Sequence, residues 1–135
     1  MLKGINHIGI AVKDLDASKE LFGKIFGVNN FHTETVADQK VNVASFKVGE
    51  VLIELTSPTD PESPIAKFIE KKGEGIHHVA FETENAEAEL ARLSGDGIKL
   101  IDEKPRPGAH GKMIAFLHPK STNGVLMEVC QDPHQ

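Results

Sequence analysis

Gly75-Ile76-His77-His78-Val79-Ala80-Phe81 restates Gly4-Ile5-Asn6-His7-Ile8-Gly9-Ile10 at a constant offset, so that Gly4 falls on Gly75, Ile5 on Ile76 and His7 on His78. Each stretch alternates β-branched or aromatic residues with small or polar ones, the pattern of a strand. Side chains two apart on a strand share a face. His7 therefore stands with Gly9 and Ala11, opposite Ile8, Ile10 and Val12, and His78 stands with Ala80 and Glu82, opposite Val79, Phe81 and Thr83. A histidine among small neighbours leaves room in front of the imidazole, which suits a ligand pocket better than a packed core.

If the chain is two copies of one module, other positions pair as well. Gly49-Glu50-Val51-Leu52-Ile53-Glu54-Leu55 resembles Asn123-Gly124-Val125-Leu126-Met127-Glu128-Val129, and Glu54 matches Glu128 as His7 matches His78. Two histidines and two carboxylates at equivalent places in two related halves are what a metal site on a pseudo-two-fold axis requires.

In the first half, Leu21, Phe22, Ile25 and Phe26 fall at helical spacing between an N-cap, Asp14, and a stop, Gly27, and the aromatic stripe is expected in the core. Strands are expected over 30–36, 40–48 and 51–56, with a turn at Ala37-Asp38. Next comes a stretch dense in proline, from Ser57 to Pro64. Ser63 caps and Pro64 begins a short helix through Ile65, Phe68 and Ile69 that stops at Gly73. The second half predicts a strand over 75–83, a helix from Asn85 to Gly95, and strands over 98–101, 113–117 and 125–130. A basic loop rich in glycine and proline occupies 103–112. Both halves then read βαβββ. The expectation is α+β: one domain over 1–135, with module one at 1–57, a connector at 58–74 and module two at 75–135.

The 135 residues suffice for one stable core, and 39% hydrophobic with 26% charged residues is ordinary for a soluble chain. A formal charge of −5 provides no global field for nucleic acid or an anionic membrane, and no apolar run is long enough to span a bilayer. Cys130 is the single cysteine, so no intrachain disulfide forms, and the natural setting is a reducing cytoplasm. A buried structural thiol is the better reading of Cys130 than a nucleophile.

Paired βαβββ modules carrying His, Glu, His and Glu resemble the vicinal oxygen chelate superfamily, which includes glyoxalase I, extradiol dioxygenases, bleomycin-resistance proteins and the methylmalonyl-CoA epimerases. The runs Asn6-His7-Ile8-Gly9-Ile10-Ala11-Val12, Ser63-Pro64-Ile65-Ala66-Lys67-Phe68, Gly75-Ile76-His77-His78, Gly108-Ala109-His110-Gly111 and Phe116-Leu117-His118-Pro119-Lys120, with Gly124-Val125-Leu126-Met127-Glu128, are similar to those of the epimerases. The resemblance implies a curled mixed sheet around a metal site, with His7, Glu54, His78 and Glu128 as ligands of a divalent ion (Co, Mn, Ni, Zn or Mg). The position of Glu54 is a glutamine in some epimerases. The implied reaction is epimerisation of methylmalonyl-CoA at its α-carbon through an enolate, with Glu54 and Glu128 as acid and base and a homodimer as the assembly.

Gln39, Lys120 and Ser121 are the expected substrate contacts, with Glu34 a further polar candidate on the pocket wall. Lys104, Arg106, Lys112 and Lys120 are available to grip CoA phosphates, although most such charges are simply solvated. His77 lies on the opposite face of its strand from His78, so it receives a structural role. His32, His110, His118 and His134 receive no catalytic role, with His118 placed to line the pocket. A lone histidine on a strand is usually structural; the pairing is what favours ligation. Glutamates in apolar strands are costly to bury unpaired, which favours a function for Glu54 and Glu128. The rival expectations are a glyoxalase I-like lyase, an Fe(II) dioxygenase, and a binding protein of the bleomycin-resistance kind. A dioxygenase needs only two histidines and one carboxylate, so a fourth ligand argues against it.

Overall fold

A computed structural model describes residues 1–133; His134 lies outside the described residues. The first βαβββ run is β1 (Gly4–Ala11), α1 (Leu15–Phe26), β2 (His32–Val36), β3 (Val41–Val48) and β4 (Val51–Pro58), followed by α2 (Pro64–Lys72). The second is β5 (Gly75–Glu82), α3 (Ala86–Gly95), β6 (Arg106–Pro107), β7 (Met113–Phe116) and β8 (Met127–Gln131). By contacts the chain forms two compact units, Ile8–His77 and Met1–His7 with His78–Gln135, so β1 contributes to each.

In the unit Ile8–His77, β2, β3 and β4 form an antiparallel ladder in which Ser45 of β3 faces Glu54 of β4. The C-terminal half of β1 lies beside β4, with Val12 N–H donating to the Thr56 carbonyl at 2.9 Å. Helices α1 and α2 pack on this ladder. Asp14 accepts from Ala17 N–H and Gly27 ends α1 at φ 67°, a left-handed conformation that favours glycine. Ser63 accepts from Ile65 N–H and Pro64 takes the first helical position of α2.

The aromatic stripe of α1 is not core. Leu21, Ile25 and Phe26 are 54, 62 and 44% exposed, and no residue of α1 is fully buried. Phe22 and Phe26 stack at 6.3 Å and Phe26 meets Phe46 of β3 at 5.2 Å, so the helix touches its ladder along one edge. Helical spacing identifies an apolar face; it does not say what covers that face.

In the other unit, β5 pairs parallel with β8, β8 antiparallel with β7, and β7 antiparallel with β6. The N-terminal half of β1 lies beside β5, with Lys3 N–H donating to the Glu82 carbonyl at 2.7 Å. Asn85 caps α3, which packs on β7 and β8. Alternation along β7 and β8 divides the unit into two faces. Ala115, Leu117 and Val129 pack with Ala86 and Leu90 of α3, while Ala80, Ile114, Phe116 and Cys130 form the opposite cluster. Burying apolar surface is worth about 25 cal/mol per Å², so both clusters support the strands that carry the charged residues below.

The expected strand over 98–101 is reduced to a single bridge, Leu100 with Leu117. Strand β6 instead emerges from the expected basic loop. The two segments are still joined, as His118 N–H donates to the Lys99 carbonyl and Ile101 N–H to the Phe116 carbonyl. Leu100 and Ile98 point into the α3 cluster, so burial rather than a ladder holds this segment. Gly108 lies so close to β7 that an added Cβ would stand 2.9 Å from Ile114 Cγ2, which explains why glycine starts the turn into that strand.

Candidate metal centre

His7, His78 and Glu128 are buried at 3, 7 and 2% exposure on β1, β5 and β8. Their placement follows from register: β5 and β8 are parallel with Ala80 opposite Glu128, and the odd-even alternation puts His78, Ala80, Glu128 and Cys130 on one face. His7 Nε2 lies 3.2 Å from His78 Nε2 and 3.0 Å from Glu128 Oε2, and His78 Nε2 lies 3.7 Å from Glu128 Oε1. The two imidazoles meet edge to face at 5.2 Å. The Phe116 ring packs edge-on against His78 at 5.5 Å.

Asn6, the residue before His7, orients that imidazole. Its Oδ1 lies 2.8 Å from His7 Nδ1 while its Nδ2 donates to Glu82 Oε1 at 3.1 Å. Glu82 accepts from the amide, which fixes the amide's orientation. The amide oxygen can then only accept, so His7 Nδ1 carries the proton. Nε2 is left as a lone pair directed at Glu128 and His78. A carboxylate oxygen and an imidazole lone pair 3.0 Å apart repel unless a positive centre stands between them, and Glu128 Oε2 has no hydrogen-bond donor. Two nitrogens and a carboxylate converging this way fit a divalent cation of intermediate hardness.

Burial pushes the Glu128 carboxyl above its ordinary range; the charges of His78, Lys112 and Arg106 act against that rise, and Asp102 adds to it. Cys130, on the same face, has its thiol pushed up to about 12 by burial and by Glu128. His7, Glu128 and Cys130 each offer an atom within 4.8 Å of the others. A thiol that keeps its proton is a poor ligand and a poor nucleophile, so Cys130 packs rather than reacts.

Glu54 is buried at 4% exposure in the middle of β4, and Gln39 is half-buried at the end of a 3₁₀ turn, Ala37–Gln39. Both belong to the unit Ile8–His77. In that unit His77 meets the Phe68 ring of α2 edge-on at 5.0 Å, and burial, with Lys72 nearby, lowers its pKa to about 4. His32 Nε2 lies 3.1 Å from Glu34 Oε1. Lys120 is exposed and Ser121 half-buried in the turn Pro119–Ser121, where Ser121 Oγ accepts from Lys99 N–H at 2.9 Å. His118 Nδ1 accepts from Lys120 N–H, and its side chain borders a cleft of about 800 Å³ with Leu90, Ile98, Lys99 and Lys104. None of His7, His78 and Glu128 lines that cleft.

Two residues matter here beyond those the sequence pattern singles out. Asn6 pairs with His77 in the repeat, and an amide next to a candidate ligand histidine is the signal for an orienting partner. Lys112, in a basic loop whose charges are expected in solvent, is 4% exposed. Its position two before Ile114 and four before Phe116 places it on the Glu128 face, and strand parity was the clue available.

The family profile described as Glyoxalase/Bleomycin resistance protein/Dioxygenase superfamily matches residues 6–116. The Bacillus subtilis (strain 168) protein called Uncharacterized protein YqjC is 46% identical over 94% of this chain and 91% of its own length. The ethylmalonyl-CoA/methylmalonyl-CoA epimerase of Cereibacter sphaeroides is 38% identical over 97% of this chain and 99% of its own. A Streptomyces coelicolor methylmalonyl-CoA epimerase solved in complex with 2-nitronate-propionyl-CoA superposes with a TM-score of 0.94 at 38% identity, covering 98% of this chain and 96% of that one.

Proposed function

We propose, from the premise that this chain belongs to the glyoxalase/bleomycin resistance protein/dioxygenase superfamily, that it is a methylmalonyl-CoA epimerase working through a divalent metal. The observation that carries the reading is the convergence of His7 Nε2, His78 Nε2 and Glu128 on one point, in a chain similar end to end to epimerases. His7, His78 and Glu128 would hold the ion, with Glu54 as fourth ligand from the repeat. The bound ion would supply Lewis-acid stabilisation of negative charge on the substrate's oxygens.

The α-carbon of methylmalonyl-CoA lies between a carboxylate and a thioester, and its proton must leave one face and return to the other. This requires a proton carrier whose pKa approaches working pH. Burial moves the Glu128 carboxyl upward, in the direction that role requires. Glu54, its repeat mate, is the proposed carrier on the opposite face, and the intermediate is the enolate of the acyl group. Phe116, against His78, keeps water from the reacting centre. Gln39, Lys120 and Ser121 are the proposed contacts to the rest of the thioester.

The reading treats 1–135 as one domain of two modules, 1–57 and 75–135, joined by 58–74. A homodimer is the proposed assembly, supported by the uncovered Leu21, Ile25 and Phe26 of α1; light scattering after size exclusion tests it. The cytoplasm is the proposed location, supported by a single, buried cysteine. Among the described residues no helix is long and apolar enough to cross a membrane.

The test is conversion of one methylmalonyl-CoA epimer into the other by metal-loaded protein, followed by chiral chromatography, beside an assay on the hemithioacetal of methylglyoxal. Interconversion of the epimers with no thioester isomerisation of the hemithioacetal is expected. The reverse outcome would assign the chain to the lyase branch of the superfamily.

A further inference from the structure

The Glu128 face of the unit Met1–His7 with His78–Gln135 holds two cations whose situations differ. Arg106 is engaged: its Nε donates to Asp102 Oδ1 at 3.1 Å, and its guanidinium lies 5.7 Å above the Phe116 ring. Lys112 is not. It is 4% exposed, and its Nζ is buried with no hydrogen-bond partner among the described residues. The alternation that puts Ile114 and Phe116 opposite Cys130 and Glu128 puts Lys112 on that same face. The backbone around Lys112 is well held, since its N–H donates to the Ala109 carbonyl and its carbonyl accepts from Gly108 N–H. Ile114 and Phe116 continue the same face toward His78.

A buried ammonium that makes none of its three possible hydrogen bonds costs several kcal/mol relative to one in water. The ordinary escapes are closed to it: the side chain does not reach solvent, and the Glu128 carboxylate on the same face is already 3.0 Å from an imidazole nitrogen. Such a group is stabilised when a ligand brings an anionic oxygen.

We propose that Lys112 receives the free carboxylate of the acyl group and so selects malonyl-type thioesters over plain acyl thioesters. The inference rests on the epimerase reading and deepens it. The reacting acyl group is the anionic part of the substrate that must enter this face; CoA phosphates, by contrast, suit exposed cations such as Lys120. A charge-assisted bond at a buried site gives roughly a 10- to 100-fold preference.

The experiment is calorimetric titration of metal-loaded wild type, Lys112→Met and Lys112→Arg with methylmalonyl-CoA and with propionyl-CoA, which lacks the carboxylate. Wild type is expected to bind methylmalonyl-CoA more tightly. Lys112→Met should weaken methylmalonyl-CoA roughly 10- to 100-fold, leave propionyl-CoA within about twofold, and raise KM more than it lowers kcat. Lys112→Arg should restore much of the preference. Equal loss for both thioesters, or no loss for either, would overturn the inference. Should Lys112→Met fail to fold, wild type labelled with ¹³C-lysine decides. The Cε signal absent from Lys112→Arg should move on adding methylmalonyl-CoA and stay with propionyl-CoA; a signal indifferent to both contradicts the assignment. If wild type binds selectively but does not interconvert epimers, the epimerase reading falls while carboxylate selection by Lys112 stands.

Discussion

The two βαβββ runs place a histidine on the first strand and a glutamate on the last, but they spend the chain between differently. In the first, β2 and β3 have 5 and 8 residues and form a long ladder. In the second, β6 and β7 have 2 and 4 residues, and the chain before β7 supplies Asp102, Arg106 and Lys112 instead. The repeat thus sets where the candidate ligands stand, while the divergence sets their electrostatics. The raised pKa of Glu128 reflects burial, opposed by Lys112 and Arg106 and reinforced by Asp102.

The largest expected difference is between two adjacent strand positions, His78 and His77. His78→Ala should lose bound metal and lower activity by about three orders of magnitude, the scale of removing a main electrostatic stabiliser. His77→Ala should keep metal and most activity while losing about 1 kcal/mol of stability with its Phe68 contact. Metal analysis and turnover of the two variants check this, and a reversed order would mean the register of the second run is misread.

The glutamates come next. Glu128→Gln should lower kcat by roughly 10²- to 10⁴-fold. Glu54→Gln should lower kcat on a similar scale while keeping bound metal, because an amide oxygen still ligates a metal but cannot carry the proton. Steady-state kinetics and metal analysis of both variants check this; full activity in Glu54→Gln would remove Glu54 as the carrier on the opposite face.

A smaller effect separates Asn6 from its repeat mate His77. Asn6→Ala removes the acceptor that fixes the His7 tautomer, and metal affinity should fall roughly 10- to 100-fold, read by competition with a chelating dye. Unchanged affinity would remove Asn6 from the site.

The smallest effect is on stability against pH. His77 has a folded pKa of about 4, below its ordinary 6.5, so the unfolded chain binds the extra proton first between these values. Its contribution is therefore present above pH 6.5 and is lost as pH falls toward 4, a change of about 3 kcal/mol. Denaturant melts of wild type and His77→Gln should diverge across that window; parallel curves would show that His77 does not titrate as described.

Much of this was legible in the letters because it depends on local rules. Asp14, Ser63 and Asn85 announce helix starts through side-chain caps, and Gly27 and Gly73 announce stops. The alternation around His7 and His78 gives buried faces that the strands then display. What escaped depends on tertiary context. The exposure of Leu21, Ile25 and Phe26 is set by what the ladder leaves uncovered, and β6 is set by pairing with Ile114 and Met113 rather than by its own Arg-Pro sequence. Asn6 became significant only when its amide was seen to join Glu82 to His7. Lys112 reads as solvated in a basic loop, and only burial distinguishes it.

The account turns on removal of one proton from the carbon between carboxylate and thioester. Metal-loaded protein incubated with methylmalonyl-CoA in D₂O should incorporate deuterium at the α-carbon, by mass spectrometry, with His78→Ala alongside showing background exchange. An α-carbon that stays protonated with every divalent ion tried would contradict it.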